Sequence, residues 1–270
     1  MAIITISRGS YSMGKAVAEQ VAACLGYTVI SRDLLLDAST RFQIPEIKLI
    51  RAIHDAPGIL ARFSRSQQAY LAYIRAALTE RVRDGNVVYH GLAGHLLLKE
   101  VPGVLKVRIT ADLERRVENE RRREGISAQE ARETILRDDQ QRRGWTRSLH
   151  GVDPWDSNLY DLVVRIGALT VADAVSFICE AARSEGFRAT EKSLQAIRDL
   201  ALACRIKAEL VEEFPALGIT CQYGNAIVYT RDKSAGGDRL HKRLDTLGKE
   251  IQGIFNLEVH SSEDWPPDAV

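Results

Sequence analysis

Cysteine is scarce and scattered in this chain of 270 residues. Cys24, Cys179, Cys204 and Cys221 form no C-x-x-C pair and sit beside no histidine cluster. That excludes a disulfide-stapled scaffold and a thiolate metal site of the usual spacing. The thiols read as small hydrophobes on helix faces, in an expected reducing cytoplasm. An excess of charge of either sign is also missing: 37 lysines and arginines meet 36 aspartates and glutamates, a formal +1. A dedicated nucleic-acid binder carries a basic surplus, so no nucleic-acid partner is expected. No apolar run approaches the ~18 residues of a membrane span. The opening Met1-Ala-Ile-Ile-Thr-Ile-Ser7 lacks the basic start and long apolar stretch of a signal peptide, which points to a cytoplasmic protein. What is present is a 45% hydrophobic chain long enough for a real core, and this rules out disorder.

Strand and helix signals alternate through the first part. Ile3, Ile4 and Ile6 form a short apolar run ending at Arg8-Gly9, and Val17, Val21, Cys24 and Leu25 share a helix face that stops at Gly26. Tyr27–Ile30 reads as a second strand. Pro45 opens a helix carrying Ile47, Ile50 and Ile53, and a longer helix runs from Ser66 to Arg83. Val87–Tyr89, Val104–Ile109 and Tyr160–Ile166 are further strands. Ser127 with Glu130, and Thr170, are helix N-caps. This order predicts an α/β fold with a parallel sheet covered by helices on both faces. Past Ser184–Arg188 the pattern changes to a helix (192–213), a hairpin around Tyr223-Gly-Asn225, a helix (238–251) and the strand Phe255–Val259. That is a small α+β module. The expected division is 1–186, 187–262 and a frayed tail, 263–270.

Gly9-Ser-Tyr-Ser-Met-Gly14-Lys15 carries the chemistry. It has the G-x-x-x-x-G-K spacing of a P-loop and lies between a strand and a helix. Glycines at such positions let backbone N–H groups turn toward phosphate oxygens, and the following helix directs its positive end at them. Gly9, Ser10, Ser12, Gly14 and Lys15 are the candidate phosphate-binding residues, with Lys15 as a mobile charge. Ala16 stands where a P-loop places the hydroxyl that ligates magnesium. Ser10 or Ser12 would then approach the ion, or phosphates and water would hold it, and no protein metal cage is expected.

Between Ala111 and His150 every basic side chain but the terminal histidine is arginine. Arginine suits planar, bidentate phosphate contacts. Acids stand at helical spacing too, in Glu118→Arg122, Glu133→Arg137, Asp138→Arg142 and Asp139→Arg143, which argues for a solvated helix over most of the stretch.

Taken with Ile4-Thr-Ile-Ser-Arg8, the loop resembles the cytidylate kinase-like family of P-loop kinases. So do Ile30-Ser-Arg-Asp33, Val87-Val-Tyr-His-Gly91, Arg137–Arg143 and Asp153–Val163, over residues 1–183. The resemblance implies a nucleoside monophosphate kinase fold with an acceptor region and an arginine-bearing lid, using ATP and Mg2+. It places Arg32 and Asp33 at the acceptor, and Arg137 and Arg142, with Arg143 beside them, over the transferred phosphoryl group. The turn here reads Gly91-Leu92 where the family often has Gly-Arg, and no acid ends the Val87–Tyr89 strand. His90 and His95 flank that turn, at the carboxyl end of a strand where ligands of open sheets bind, and join the candidate acceptor residues. Residues 188–262 resemble a BON domain, which implies protein or membrane-surface contact; an accessory or homodimerisation role is the alternative.

The expected function is ATP-dependent phosphoryl transfer to a nucleoside monophosphate or similar small phosphorylated acceptor. The alternative, from Ala16 and Leu92, is a nucleotide-binding regulator that relays occupancy through the C-terminal module.

Overall fold

Apolar-rich stretches at Ile3–Ile6, Val87–Tyr89 and Val104–Ile109, broken only by Thr5, Lys106 and Arg108, become strands largely buried on both faces, as a parallel sheet requires. The computed structural model describes residues 2–31, 33–54, 65–91, 93–231 and 237–270. The first sheet is built from β1 (Ile3–Arg8), β2 (Thr28–Ile30), β3 (Val87–His90), β4 (Val104–Ala111) and β5 (Leu162–Ile166). Their order is β2-β3-β1-β4-β5, and every pairing is parallel.

The covering helices are α1 (Gly14–Leu25), α2 (Asp33–Phe42), α3 (Glu46–His54), α4 (Arg65–Val82), α5 (Gly94–Leu97), α6 (Leu113–Glu124), α7 (Ala128–His150) and α8 (Val171–Arg183). On one face Ile4, Ile6, Val88 and Val107 pack with Val17 and Val21 of α1 and Ile178 of α8. On the other, Ile3, Val87, Tyr89 and Val104 pack with Leu78 of α4 and Leu34 of α2. β1 leads to β2 on one side, whereas β3 leads across β1 to β4 on the other. The crevice this opens at the carboxyl ends of β1 and β3 is the usual ligand position of such sheets.

Local chemistry explains most helix ends. Ser127–Glu130 and Thr170–Asp173 form reciprocal capping boxes at the starts of α7 and α8. In α2, Leu34 and Leu35 are buried and Leu36 faces out. One expectation changes in part: in α3, Ile50 of the expected isoleucine stripe packs against the core, but Ile47 is exposed and the fully buried side chain is Leu49.

The second sheet, β6 (Leu217–Gln222), β7 (Asn225–Thr230) and β8 (Asn256–Ser261), is covered by α9 (Glu191–Leu210) and α10 (Gly237–Glu250). The β6–β7 hairpin turns at Tyr223-Gly224, both in the left-handed region. Helix α9 serves two cores. Ile197, Leu200, Cys204 and Ala208 join the core that contains α4, and Ala203, Ile206 and Leu210 pack with Ile219, Val228 and Leu244.

The tail is docked where fraying was expected. Val270 and Ile219 exchange two backbone hydrogen bonds, of 2.9 and 3.2 Å. Trp265 lies on Gly218, where a Cβ would come within 2.8 Å of its ring, and Arg231 stacks over it at 4.8 Å. Truncation after residue 263 is therefore expected to cost on the order of 2 kcal/mol, read as a lower urea midpoint with an unchanged slope. An unchanged midpoint would show that the tail contributes nothing.

Candidate active site

The loop between β1 and α1 is held against β4. Gly9 N–H donates to Ile109 O at 3.1 Å. The buried Ser12 hydroxyl donates to Gly9 O at 2.9 Å, with Ile109 O at 3.1 Å. The left-handed residues are Tyr11 (φ 60) and Met13 (φ 66), not Gly9 or Gly14. Such strain in non-glycine residues concentrates at functional loops. Gly14 serves close approach instead: a Cβ there would lie 2.7 Å from Arg8 Cδ and 2.8 Å from Arg8 Cβ. Ser10 Oγ is buried without a hydrogen-bond partner among the described residues.

Helices α6 and α7 reach this loop through acids. Asp139 Oδ1 accepts from Ser10 N–H at 3.0 Å, and its Oδ2 accepts from Arg116 at 2.5 Å. Arg116 also donates to Ser10 O at 2.7 Å. Tyr11 OH donates to Asp138 at 3.2 Å, and burial together with that carboxylate raises the phenol's pKa. Arg123 stacks over the Tyr11 ring at 4.7 Å.

Of the four acid–arginine pairs expected along these helices, Glu118–Arg122 forms, at 2.6 Å. Asp138 and Asp139 are turned to the loop instead of to Arg142 and Arg143, and Arg137 makes no pair with Glu133 among the described residues. Arg143 pairs with Asp153 and stacks over Trp155 at 4.1 Å; hydrogen bonding to Arg143 holds the Asp153 carboxyl below its usual range.

These diversions leave two guanidiniums in one cleft. Arg8 and Arg142 both line a cleft of about 490 Å³ at the carboxyl edge of the sheet, with Gly9 and Lys15 at the same end. No carboxylate among the described residues pairs with either. Burial first, and Arg142 second, push the Arg8 pKa down to about 10. Two like charges held together in a half-buried cleft are a place for an anion. The Lys15 side chain is exposed at the mouth, 3.7 Å from Glu19.

Helices α2, α3 and α4 and strand β3 give the cleft an apolar lining of Leu34, Leu35, Ile50, Ile74 and Tyr89. Asp33 is not among the residues that line it; at the start of α2 its Oδ1 accepts from Ser31 N–H at 2.7 Å and its Oδ2 pairs with Arg81 at 3.3 Å. Arg32 and Leu92 lie outside the described residues. His90 and His95 both line the cleft and are buried. Burial, then Arg8, lower the His90 pKa. The His95 ring lies 4.6 Å from Tyr160, and neither of its nitrogens has a partner among the described residues. Tyr160 OH donates to Pro154 O at 2.9 Å and accepts from Arg108 at 3.4 Å.

Structure thus brings Gly9, Lys15, Arg142, His90 and His95 to one cleft. It leaves Arg137 out, on the outer face of α7 beside Glu133 and Gln140. Sequence reading passed over Arg8, Arg108, Arg116 and Tyr160. Only Arg8, immediately before Gly9, carried a positional signal.

His95 makes stability depend on acid. Burial, then His150, Arg108 and Lys106, lower its pKa from 6.5 to about 3. Because the unfolded chain binds the proton more tightly, stability is complete above the unfolded value and falls as pH drops toward the folded one. About 2 kcal/mol is expected to be lost between neutral pH and about pH 5. Urea titrations at the two pH values test this, with His95→Gln expected to remove that part of the difference. An equal loss in both proteins would clear His95.

The donors fit a nucleotide polyphosphate: loop amides, an orphaned buried hydroxyl at Ser10, and Arg8, Lys15 and Arg142 on one rim. No three His, Cys, Asp or Glu gather as a metal cage among the described residues. A magnesium ion here would therefore rest mainly on phosphate and water, with Ser10 Oγ an unclaimed side-chain oxygen in the loop.

Comparison with known proteins gives a consistent pattern. Residues 3–168 match the model of the cytidylate kinase-like family. A cytidylate kinase from Pyrobaculum aerophilum is 27% identical over 65% of this chain and 89% of its own length. One from Thermococcus sibiricus is 38% identical over 32% of this chain and 43% of its own. For several of the curated relatives it matches, the chain spans less than half of their length. An uncharacterized protein from Eubacterium ventriosum shares the fold, with a TM-score of 0.52 and 20% identity over 68% of this chain and all of that one.

Proposed function

Because the chain belongs to the cytidylate kinase-like family, we propose that it transfers the terminal phosphoryl group of ATP to a small phosphorylated acceptor of the nucleoside monophosphate type. The observation that carries this reading is the unneutralised pair Arg8 and Arg142 in a cleft that Gly9 and Lys15 of the phosphate loop line together with apolar side chains of α2, α3 and α4.

In this assignment the loop amides and Lys15 hold the donor phosphates. Asp139 must leave Ser10 N–H to admit them. Bound Mg2+ would neutralise phosphate charge. Arg8 and Arg142 flank the group in transfer and match its spread charge. An ionised acceptor phosphate needs no general base, so positioning and charge neutralisation account for the catalysis. Leu34, Leu35, Ile74 and Tyr89 give the acceptor's planar portion an apolar wall, and His90, His95 and Arg108 give it polar contacts.

The test is an assay of the full chain with ATP and Mg2+ against a panel of nucleoside monophosphates and other small phosphorylated acceptors. Stoichiometric ADP and phosphorylated acceptor from one of them are expected. ATP binding without turnover on any acceptor would overturn catalysis and favour a nucleotide-sensing role.

A further inference from the structure

The cysteines scattered in the sequence are not all scattered in space. Helices α1 and α8 pack side by side behind the sheet through small residues, Ala18 and Ala22 on one and Ala174 and Ala182 on the other. That close approach brings Cys24, in the last turn of α1, beside Cys179 of α8, which packs in one core with Ala22 and Leu25 of α1. Cys24 is exposed and Cys179 is buried. Arg183, one turn beyond Cys179, places its guanidinium 3.8 Å from Cys24 Sγ.

We propose that Cys24 is a hydroperoxide-reactive thiol and Cys179 its resolving partner, the pair closing a reversible disulfide between α1 and α8. An accessible sulfur beside a cation, with a second thiol on the helix packed against it, is the arrangement such chemistry needs. The contacts to Cys179 and Arg183 lower the Cys24 pKa, whereas burial keeps Cys179 protonated, with its pKa pushed up to about 12. The thiolate of Cys24 attacks one peroxide oxygen. The S–O bond forms, the O–O bond breaks and hydroxide leaves, so sulfur is oxidised to a sulfenic acid as the peroxide is reduced. Cys179 sulfur then attacks Cys24 sulfur and gives up its proton, and the S–O bond breaks with loss of water. Two thiols and one hydrogen peroxide become one disulfide and two waters. The other two cysteines lack this setting: Cys204 is buried, and Cys221 has its pKa pushed up to about 12 by burial and Asp199.

The experiment treats the full chain with hydrogen peroxide, blocks the remaining thiols with N-ethylmaleimide after unfolding, and maps peptides by mass spectrometry without reductant. A Cys24–Cys179 cross-link within one chain, reversed by dithiothreitol, is expected, with Cys204 and Cys221 alkylated. Cys24→Ser, a surface change, should abolish the cross-link and leave Cys179 alkylated. In Cys179→Ser, Cys24 should accumulate as a sulfenic acid trapped by dimedone. Three results would overturn the proposal: no oxidation, a cross-link between two chains through Cys24, or Cys24 carried to sulfinic acid in the parent while Cys179 stays alkylated.

Discussion

Arg142→Ala is expected to lower kcat for phosphoryl transfer by on the order of 10³-fold while leaving the fold intact. In the unliganded protein Arg142 has no carboxylate partner among the described residues, and it lines the same cleft as Arg8, whose pKa its charge lowers. Removing it relieves repulsion and breaks no ion pair, so the thermal midpoint should hold or rise slightly. Rate falls and stability does not, and a structural arginine would not behave so. Arg142→Lys restores the charge but not the planar fork, and should recover only part of the loss. Arg137→Ala is the control. Its side chain is exposed on the outer face of α7, and it should run near the parent rate. Steady-state kinetics on the three variants decide the matter. Equal losses at Arg137 and Arg142 would sink the assignment of the lid arginine.

Lys15→Ala is expected to weaken ATP binding by on the order of 10²-fold, equivalent to ~2.7 kcal/mol, by titration calorimetry. In the structure Lys15 has one ionic neighbour, Glu19 at 3.7 Å, and both side chains are largely exposed. Such a pair contributes between roughly zero and 1 kcal/mol, so the substitution hardly touches folding. Its cost falls on the ligand. Unchanged ATP affinity would remove the phosphate-loop assignment at its root.

The sheet was legible because its central strands are rich in β-branched and other apolar residues, and the phosphate loop because its glycine and lysine spacing falls between a strand and a helix. Neither signal reached further. Asp138 and Asp139 stand one helical turn before arginines, and sequence reading paired them along α7. In the fold the same acids meet Tyr11, Ser10 and Arg116. Local spacing cannot weigh a partner brought in from β1 or α6. That one misassignment hid the main feature of the site, since pairing Arg142 with Asp138 would have neutralised it. Arg8 was quoted as part of a motif but given no role, because a polar residue at the end of a strand is ordinary. Cys24 likewise read as a core thiol from its helix face, and only the packing of α1 on α8 reveals its exposure and its neighbour.

Helix α9 changes what a domain boundary means in this chain. By sequence, residues 187–262 form a separable unit, and deleting them is the natural way to ask what they do. Yet one side of α9 is part of the first core, and the Tyr73 hydroxyl of α4 donates to Glu212 just past its end at 2.9 Å. Severing the chain before α9 would strip α4 of its cover, and α4 supplies Ile74 to the cleft wall. The shared helix predicts that the two sheets melt together in a single calorimetric transition rather than in turn. A truncated protein that lost activity would report exposed hydrophobic surface, not a lost signal, so the smaller sheet has to be probed by surface substitutions on β6, β7 and β8.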